Sequence, residues 1–425
     1  MMKTEINNAH IVDPSIGLNK ICSIYIDNET VAAIDNAPEG WSANQVIDAH
    51  GHFLIPGIVD IATRLREPGQ EHKATIASET FAAVSAGIPS VVVQPDTSPV
   101  INTPAEVELI QQKNKAAGHC HVYVIGALTQ DLNGSLLSEM AAHKDADVVG
   151  VSNCLAPLDS SLVLRRAMEY ASSQELTLFL HPIDHDLAGK GCVHEGMTAT
   201  RMGLSGIPSA AETAAVGSSL ALIEQTGVRV HFCRISTQRT LQLLERAKFD
   251  GAPISADLCA HQLFFSDQDI LSFDGNFHVI PPFRSQVDVM GLRQRLGSEF
   301  ITSLCSDHQP HDQDAKLAPF PSTEAGISSL ETLLPLVLRL VDEDVITLSM
   351  AVALLTYKPA QLLDINAGSL APGKPADICI FNPDTEWQLT PETMNSRGKN
   401  TPLLNQTLKG KVTHTLVNGK LVYQN

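Results

Sequence analysis

The sequence predicts an α/β barrel with a small β domain built from both of its ends, and three observations predict it. Strand-like apolar runs alternate with helix-length stretches through the middle of the chain. Both ends are instead rich in short strands broken by turns. The length of 425 residues suits a barrel of about 250 residues plus a smaller module.

At the N-terminal end, strands are expected over 9–12, 23–26 and 31–34, with Asp13-Pro14 and the stretch 36–40 as breaks. From 54 to about 364 the period changes. Strands are expected there over 90–93, 122–125, 176–180, 228–232 and 301–304, and helices over 105–116 and 162–173. Strand and helix in turn build a parallel sheet with its helices outside, and the units suffice to close a TIM-like (β/α)8 barrel. Short strands return over 376–381, 412–417 and 421–423, and Asn418-Gly419 between the last two signals a tight hairpin. The economical division gives 55–364 to the barrel, while 1–54 and 365–425 form one small β-sandwich domain.

Composition narrows the class. Hydrophobic residues make up 44%, enough for a large core, and no low-complexity tract suggests disorder. A formal net charge of −18 repels phosphate backbones and anionic lipid, so neither nucleic acid nor membrane partners are expected. Eight cysteines without a CxxC pair read as reduced thiols, and with no basic-then-apolar leader a cytoplasmic protein is expected. His119-Cys120-His121 opens an apolar strand, where neighbours point to opposite faces, which disfavours it as a ligand cluster.

Function in such a barrel collects at the C-terminal ends of the strands. Five stretches carry polar residues there: 54–60 running into Arg66-Glu67-Pro68-Gly69; Gln94-Pro95-Asp96-Thr97; His181; His231-Phe232-Cys233-Arg234-Ile235-Ser236-Thr237; and Ser306-Asp307-His308-Gln309-Pro310-His311. Further marks are Gly203-Leu204-Ser205-Gly206-Ile207-Pro208, Pro281-Pro282-Phe283-Arg284, Glu324-Ala325-Gly326-Ile327, Gly373-Lys374-Pro375-Ala376-Asp377 and Ser396-Arg397-Gly398-Lys399-Asn400-Thr401-Pro402. In this order they resemble the dihydroorotases of the amidohydrolase superfamily over nearly the whole chain.

The resemblance implies an amidohydrolase-type barrel and a zinc enzyme that interconverts carbamoyl aspartate and dihydroorotate. In such enzymes the metal polarises a carbonyl and supplies hydroxide while an aspartate moves the proton. The departures from the family pattern are specific. The family's Asp-x-His-x-His-x-Arg reads Asp60-Ile61-Ala62-Thr63-Arg64-Leu65-Arg66. Asn153, in Ser152-Asn153-Cys154-Leu155, stands where a carboxylate is implied, and Arg234 stands for a ligand histidine. Only His181 and Asp307 match the ligand set, and two ligands do not hold zinc tightly. Arg66, His308 and His311 match substrate anchors, whereas Asp96 and Ile280 replace two asparagines.

Arginine stays protonated and has no lone pair, so Arg64 and Arg234 cannot ligate. They are expected to pair with Asp307, and with Asp60, in place of the metal's charge. For Arg66, an ion pair with Glu67 or Asp60 is the alternative to ligand binding. No cofactor and no catalytic residue is then expected, Asp307 being vestigial. The resemblance implies a non-catalytic oligomeric partner of the aspartate carbamoyltransferase catalytic chain. Two other readings stay open. One is an active cyclic-amide hydrolase with a non-standard zinc site drawn from His181, Asp307 and a thiol among Cys154, Cys233 and Cys305, although alternation turns Cys233 away from the face of Arg234. The other is a barrel that binds a small carboxylate through Arg66 without turnover.

Overall fold

A computed structural model describes residues 2–425. Two large sheets divide the chain. The first opens with β1 (Lys3–Asp13), β2 (Leu18–Asp27), β3 (Thr30–Ile34), β4 (Gln45–Asp48) and β5 (Phe53–Pro56). The barrel follows with β6 (Val59–Thr63), β7 (Ser90–Val93), β8 (His121–Ala127), β9 (Gly150–Ser152) and β10 (Leu178–Leu180). After a parallel two-strand excursion, β11 (Val193–His194) and β12 (Gly206–Ile207), it resumes with β13 (Val230–Phe232), β14 (Ile254–Cys259) and β15 (Ile301–Cys305). The chain returns to the first sheet as β16 (Ile378–Gln388), β17 (Thr407–Val417) and β18 (Lys420–Gln424).

The small β domain is one continuous mixed sheet in the order β18-β17-β16-β5-β1-β2-β3, forked at β1. The fork is local chemistry. The β1–β2 register slips between Ile6 and Ala9, where Asn8 takes a φ of 60°, a value asparagine tolerates. Residues before the bulge pair in parallel with β4, and His10 and Ile11 pair with β5. Ile6, Ile11, Ile24, Ile26, Leu54, Ile378, Ile380 and Leu416, contributed by both chain ends, form one buried core in this domain. The Asn418-Gly419 hairpin forms as expected, with both residues at positive φ; a Cβ on Gly419 would meet the Asn28 carbonyl at 1.9 Å.

The barrel strands run in parallel in the order β6-β7-β8-β9-β10-β13-β14-β15. The ring closes through Arg64 N–H to His308 O at 2.9 Å and His308 N–H to Ala62 O at 3.0 Å. Alternate side chains enter the lumen. Val59, Ile61, Val92, Ile125 and Phe179 fill its lower layers, and Ala360 and Leu363 of the helix Tyr357–Leu363 plug that end. The opposite strand faces pack on the surrounding helices in a second, larger core. Among the described residues no helix is long and apolar enough to cross a membrane.

Candidate functional site

Four non-glycine residues at the C-terminal ends of the barrel strands lie in left-handed backbone: Arg66 (φ 64°), Cys154 (φ 50°), Arg234 (φ 54°) and Asp307 (φ 48°). Such conformations are strained and collect where a site dictates side-chain direction. At Arg234 the break overrides alternation. Cys233 stays in the lumen core with Cys259 and Cys305, and Arg234 also turns inward. The expectation that Cys233 faces away from Arg234 is corrected by this kink.

The two guanidinium groups meet one carboxylate. Arg234 Nε lies 3.2 Å and Arg64 Nη1 3.6 Å from Asp307 Oδ1. The first contact is too oblique for a hydrogen bond, leaving Arg234 Nε an ion-pair partner only. Arg64 Nε donates to Asp96 Oδ2 at 2.7 Å, and Arg234 Nη1 lies 3.9 Å from Asp257 Oδ2. Arg234 Nη2 donates to Gln94 Oε1 at 3.2 Å, and Gln309 Nε2 to Asp307 Oδ2 at 3.0 Å. Burial opposes the charge on Arg64, but Asp96 and Asp307 outweigh it and raise its pKa. Burial likewise pushes the Asp96 carboxyl up, and the paired Arg64 more than reverses this. Asp96 therefore neutralises the arginine.

Asp60 is a correction. It faces neither arginine but accepts from Ser306 N at 3.0 Å and from the Ser306 hydroxyl. Its burial, the dominant effect, lifts its pKa to about 7. The ion pair named as the alternative for Arg66 does not form, because Glu67 is taken by Lys113 at 2.5 Å and by the backbone N–H of Ile76. Arg66 Nε donates instead to Pro310 O at 2.9 Å, and Arg66 Nη2 lies 3.0 Å from His311 Nε2, which is also 2.9 Å from Ala325 O. Burial and the neighbouring Arg64 cation lower the pKa of Arg66 to about 10. Burial, then Arg66 and Lys73, press His311 down to about 2, keeping that ring neutral.

His308 does not reach the mouth. Its Nδ1 accepts from Ser329 N at 3.0 Å, so Nε2 carries the proton given to Glu79 at 2.8 Å. A buried ring with both nitrogens used is a strut, which corrects its reading as a substrate anchor. Asn153 is likewise occupied: Oδ1 accepts from Thr129 at 2.6 Å and Nδ2 donates to Ala156 O at 3.1 Å. His181 is different. Burial, then the cations of Arg234 and Arg64, hold it well below the ordinary range, and its buried Nε2 has no protein partner. It borders a narrow cavity with Arg234, Ile280 and Pro281, with room for little more than one water molecule, and also a wider cleft of about 1280 Å³ open to solvent, shared with Asn153, Cys154 and Asp184.

This donor set does not suit the zinc that the fold family implies. Ala62 offers nothing, Arg64 and Arg234 offer only N–H groups, and the Asn153 amide is committed elsewhere. Two other sets do bring three donor atoms within 4.8 Å of one another: His231, Cys233 and Asp257, and Cys259, His261 and Asp307. Asp257 is the residue that sequence reasoning missed. It accepts from Arg234 N at 2.7 Å and from His231 Nε2 at 3.0 Å deep in the lumen. Its alternation with Ser255 and Cys259 along Ile254–Cys259, which puts the three on one face, is the signal that marks it.

A family model described as Dihydro-orotase-like matches residues 51–240, and one described as Amidohydrolase family matches residues 326–423. The chain is similar to a dihydroorotase-like protein of Pseudomonas putida, 42% identical over 422 residues and 99% of each chain. A dihydroorotase of Syntrophotalea carbinolica is 36% identical over 423 residues, covering 100% of this chain and 99% of that one. Among solved structures, L-hydantoinase (dihydropyrimidinase) from Arthrobacter aurescens matches with a TM-score of 0.89 at 21% identity, covering 100% of this chain and 96% of the other. At that identity the likeness speaks for the fold.

Proposed function

The chain belongs to the dihydroorotase-like family, and from that premise we propose that it is a non-catalytic member serving pyrimidine biosynthesis as a structural partner of aspartate carbamoyltransferase. The observation that carries this reading is the convergence of Arg64 and Arg234 on Asp307. Two fixed cations supply the charge of a divalent ion without its open coordination position. They can neither polarise a carbonyl as a Lewis acid nor generate hydroxide. Asp96, paired with Arg64, puts negative charge where the family presents a neutral amide to a substrate carboxylate.

The direct test measures bound metal and the interconversion of carbamoyl aspartate and dihydroorotate in one preparation. We expect no stoichiometric zinc, no turnover, and a melting temperature indifferent to chelator. Co-purification with aspartate carbamoyltransferase tests the partnership, and the two proteins migrating separately at micromolar concentration would remove it.

One observation favours a second reading, an active cyclic-amide hydrolase with an unusual zinc site. Cys259, His261 and Asp307 assemble a thiol, an imidazole and a carboxylate at the mouth. Stoichiometric zinc with hydrolysis that fails in Cys259→Ala would establish this reading against the first.

A further inference from the structure

The barrel's other end carries a second cavity. It opens among the N-terminal ends of β10, β13, β14 and β15, beside the helix Tyr357–Leu363, with a volume of about 940 Å³ open to solvent. Nothing in the proposed function uses it. Its lining is unusual for a chain of net charge −18, since Arg229, Lys248 and Lys358 face Glu299 alone among the acidic residues. Three cations against one carboxylate leave two positive charges in excess.

Most of their donors are free. Arg229 gives one N–H to Glu175 O at 2.8 Å, and Lys248 reaches Ile254 O at 3.4 Å. Guanidinium offers five donors and ammonium three. Burial lowers the pKa of Lys358, and Glu299 is the carboxylate that opposes this. Hydroxyl groups of Tyr357 and Ser255 share the wall. Ser255 also ties the cavity to the lumen, because its Oγ lies 2.8 Å from His231 Nδ1, and His231 in turn meets Asp257.

We propose that this pocket binds a small phosphate-bearing dianion. The excess charge matches a dianion, guanidinium and ammonium are the usual phosphate partners, and focusing by a concave wall strengthens the attraction. Carboxylates of single charge fit less well, since they would leave one cation uncompensated.

The test titrates inorganic phosphate and glycerol 3-phosphate into the full-length protein at constant ionic strength, with chloride as control. Thermal shift and phosphorus NMR line width are the readouts. A saturable rise in melting temperature is expected with either phosphate and not with chloride. Tighter binding of the ester identifies an organic phosphate as ligand, and equal binding identifies the free ion. Lys358→Gln and, at the exposed position, Arg229→Gln are each expected to weaken binding about tenfold, the loss of one ionic contact. Arg66→Gln, at the opposite end of the barrel, is expected to leave binding unchanged. No saturable effect, unaltered binding in Arg229→Gln, or loss of binding in Arg66→Gln would each overturn the proposal.

Discussion

Asp307 Oδ1 faces two guanidinium groups, 3.2 Å from Arg234 Nε and 3.6 Å from Arg64 Nη1. Neutralising it leaves like charges opposed in a dry site, a loss on the order of 3–5 kcal/mol. Asp307→Asn is therefore expected to shift the urea midpoint well down, while Lys20→Ala, which breaks the exposed Lys20–Asp35 pair, leaves it in place. An unchanged midpoint for Asp307→Asn would contradict a charge-balancing role. Asp60 predicts a pH effect of definite sign. Its folded pKa of about 7 lies above the unfolded value of about 3.9, so the folded state holds the extra proton between them. The stability it contributes is complete below pH 4 and declines as pH rises through 7, on the order of 1 kcal/mol per pH unit. Asp60→Asn keeps both partners on Ser306, and its melting temperature is expected to gain on the wild type from pH 4 to 7.5. Two parallel curves over that range would refute the buried, protonated carboxyl. The arginine replacements and their shared aspartate were legible in the residue pattern. Asp60's choice of Ser306 was not, because partner choice there depends on closure between strands 246 residues apart.

At the scale of elements, the join between the helices Ser209–Thr226 and Gln238–Phe249 depends on one buried carboxylate. Glu212 accepts from Ser236 N at 3.0 Å, Thr237 N at 3.0 Å and Thr237 Oγ1 at 2.8 Å, closing the N-terminus of the second helix. A carboxylate suits that end because the helix dipole is positive there. In Glu212→Gln an amide N–H₂ would face donors on Thr237 or Ser236, so a loss on the order of 1–3 kcal/mol is expected by denaturant titration. Retention of full stability would mean that packing, not this cap, sets the helix. The helices Pro104–Ala117 and Ser161–Ser173 and the Asn418-Gly419 turn were readable, whereas the longer helix Ser209–Thr226 and the helix Leu330–Asp342 were not. The strands Gly150–Ser152 and Ile254–Cys259 were missed for different reasons. The first is three residues long, and the second puts Ser255 and Asp257 where an apolar run would announce a strand. Those polar positions face the lumen, where they bond His231, so function and legibility conflict at the same residues.

At the scale of the molecule, alternation in the middle and strands at both ends sufficed to foresee a barrel beside a β domain. What the pattern did not reveal is how tightly the C-terminal tail holds the barrel. Strand β16 pairs with β5 on the near side, and Gly57 N–H donates to Asp377 O at 2.8 Å where the two sheets meet. Further on, Asn400 clamps the loop after β15: Nδ2 reaches Gln309 O at 3.0 Å and Gly326 O at 3.1 Å, while Oδ1 accepts from His311 N at 2.8 Å. Ser396 Oγ donates to Glu79 at 2.6 Å, completing the buried set that also holds His308. These contacts join residues as far apart in sequence as Phe53 and Phe381, so neither hydropathy nor local turn chemistry records them. They predict a single cooperative unit rather than a barrel with a dispensable appendage. Removing residues 365–425 strips β16 from β5, uncovers Ile6, Ile24 and Leu54, and leaves Glu79 and the Gln309 carbonyl without their partners. The truncated chain is expected to lose its cooperative melting transition and to bind a hydrophobic dye, not to melt a few degrees lower. The milder variant Asn400→Ala tests the clamp by itself. Because it unpairs two buried carbonyls and one buried N–H, it is expected to lower the single transition by several degrees. Two separate transitions in either protein would show that the sheet and the barrel fold independently.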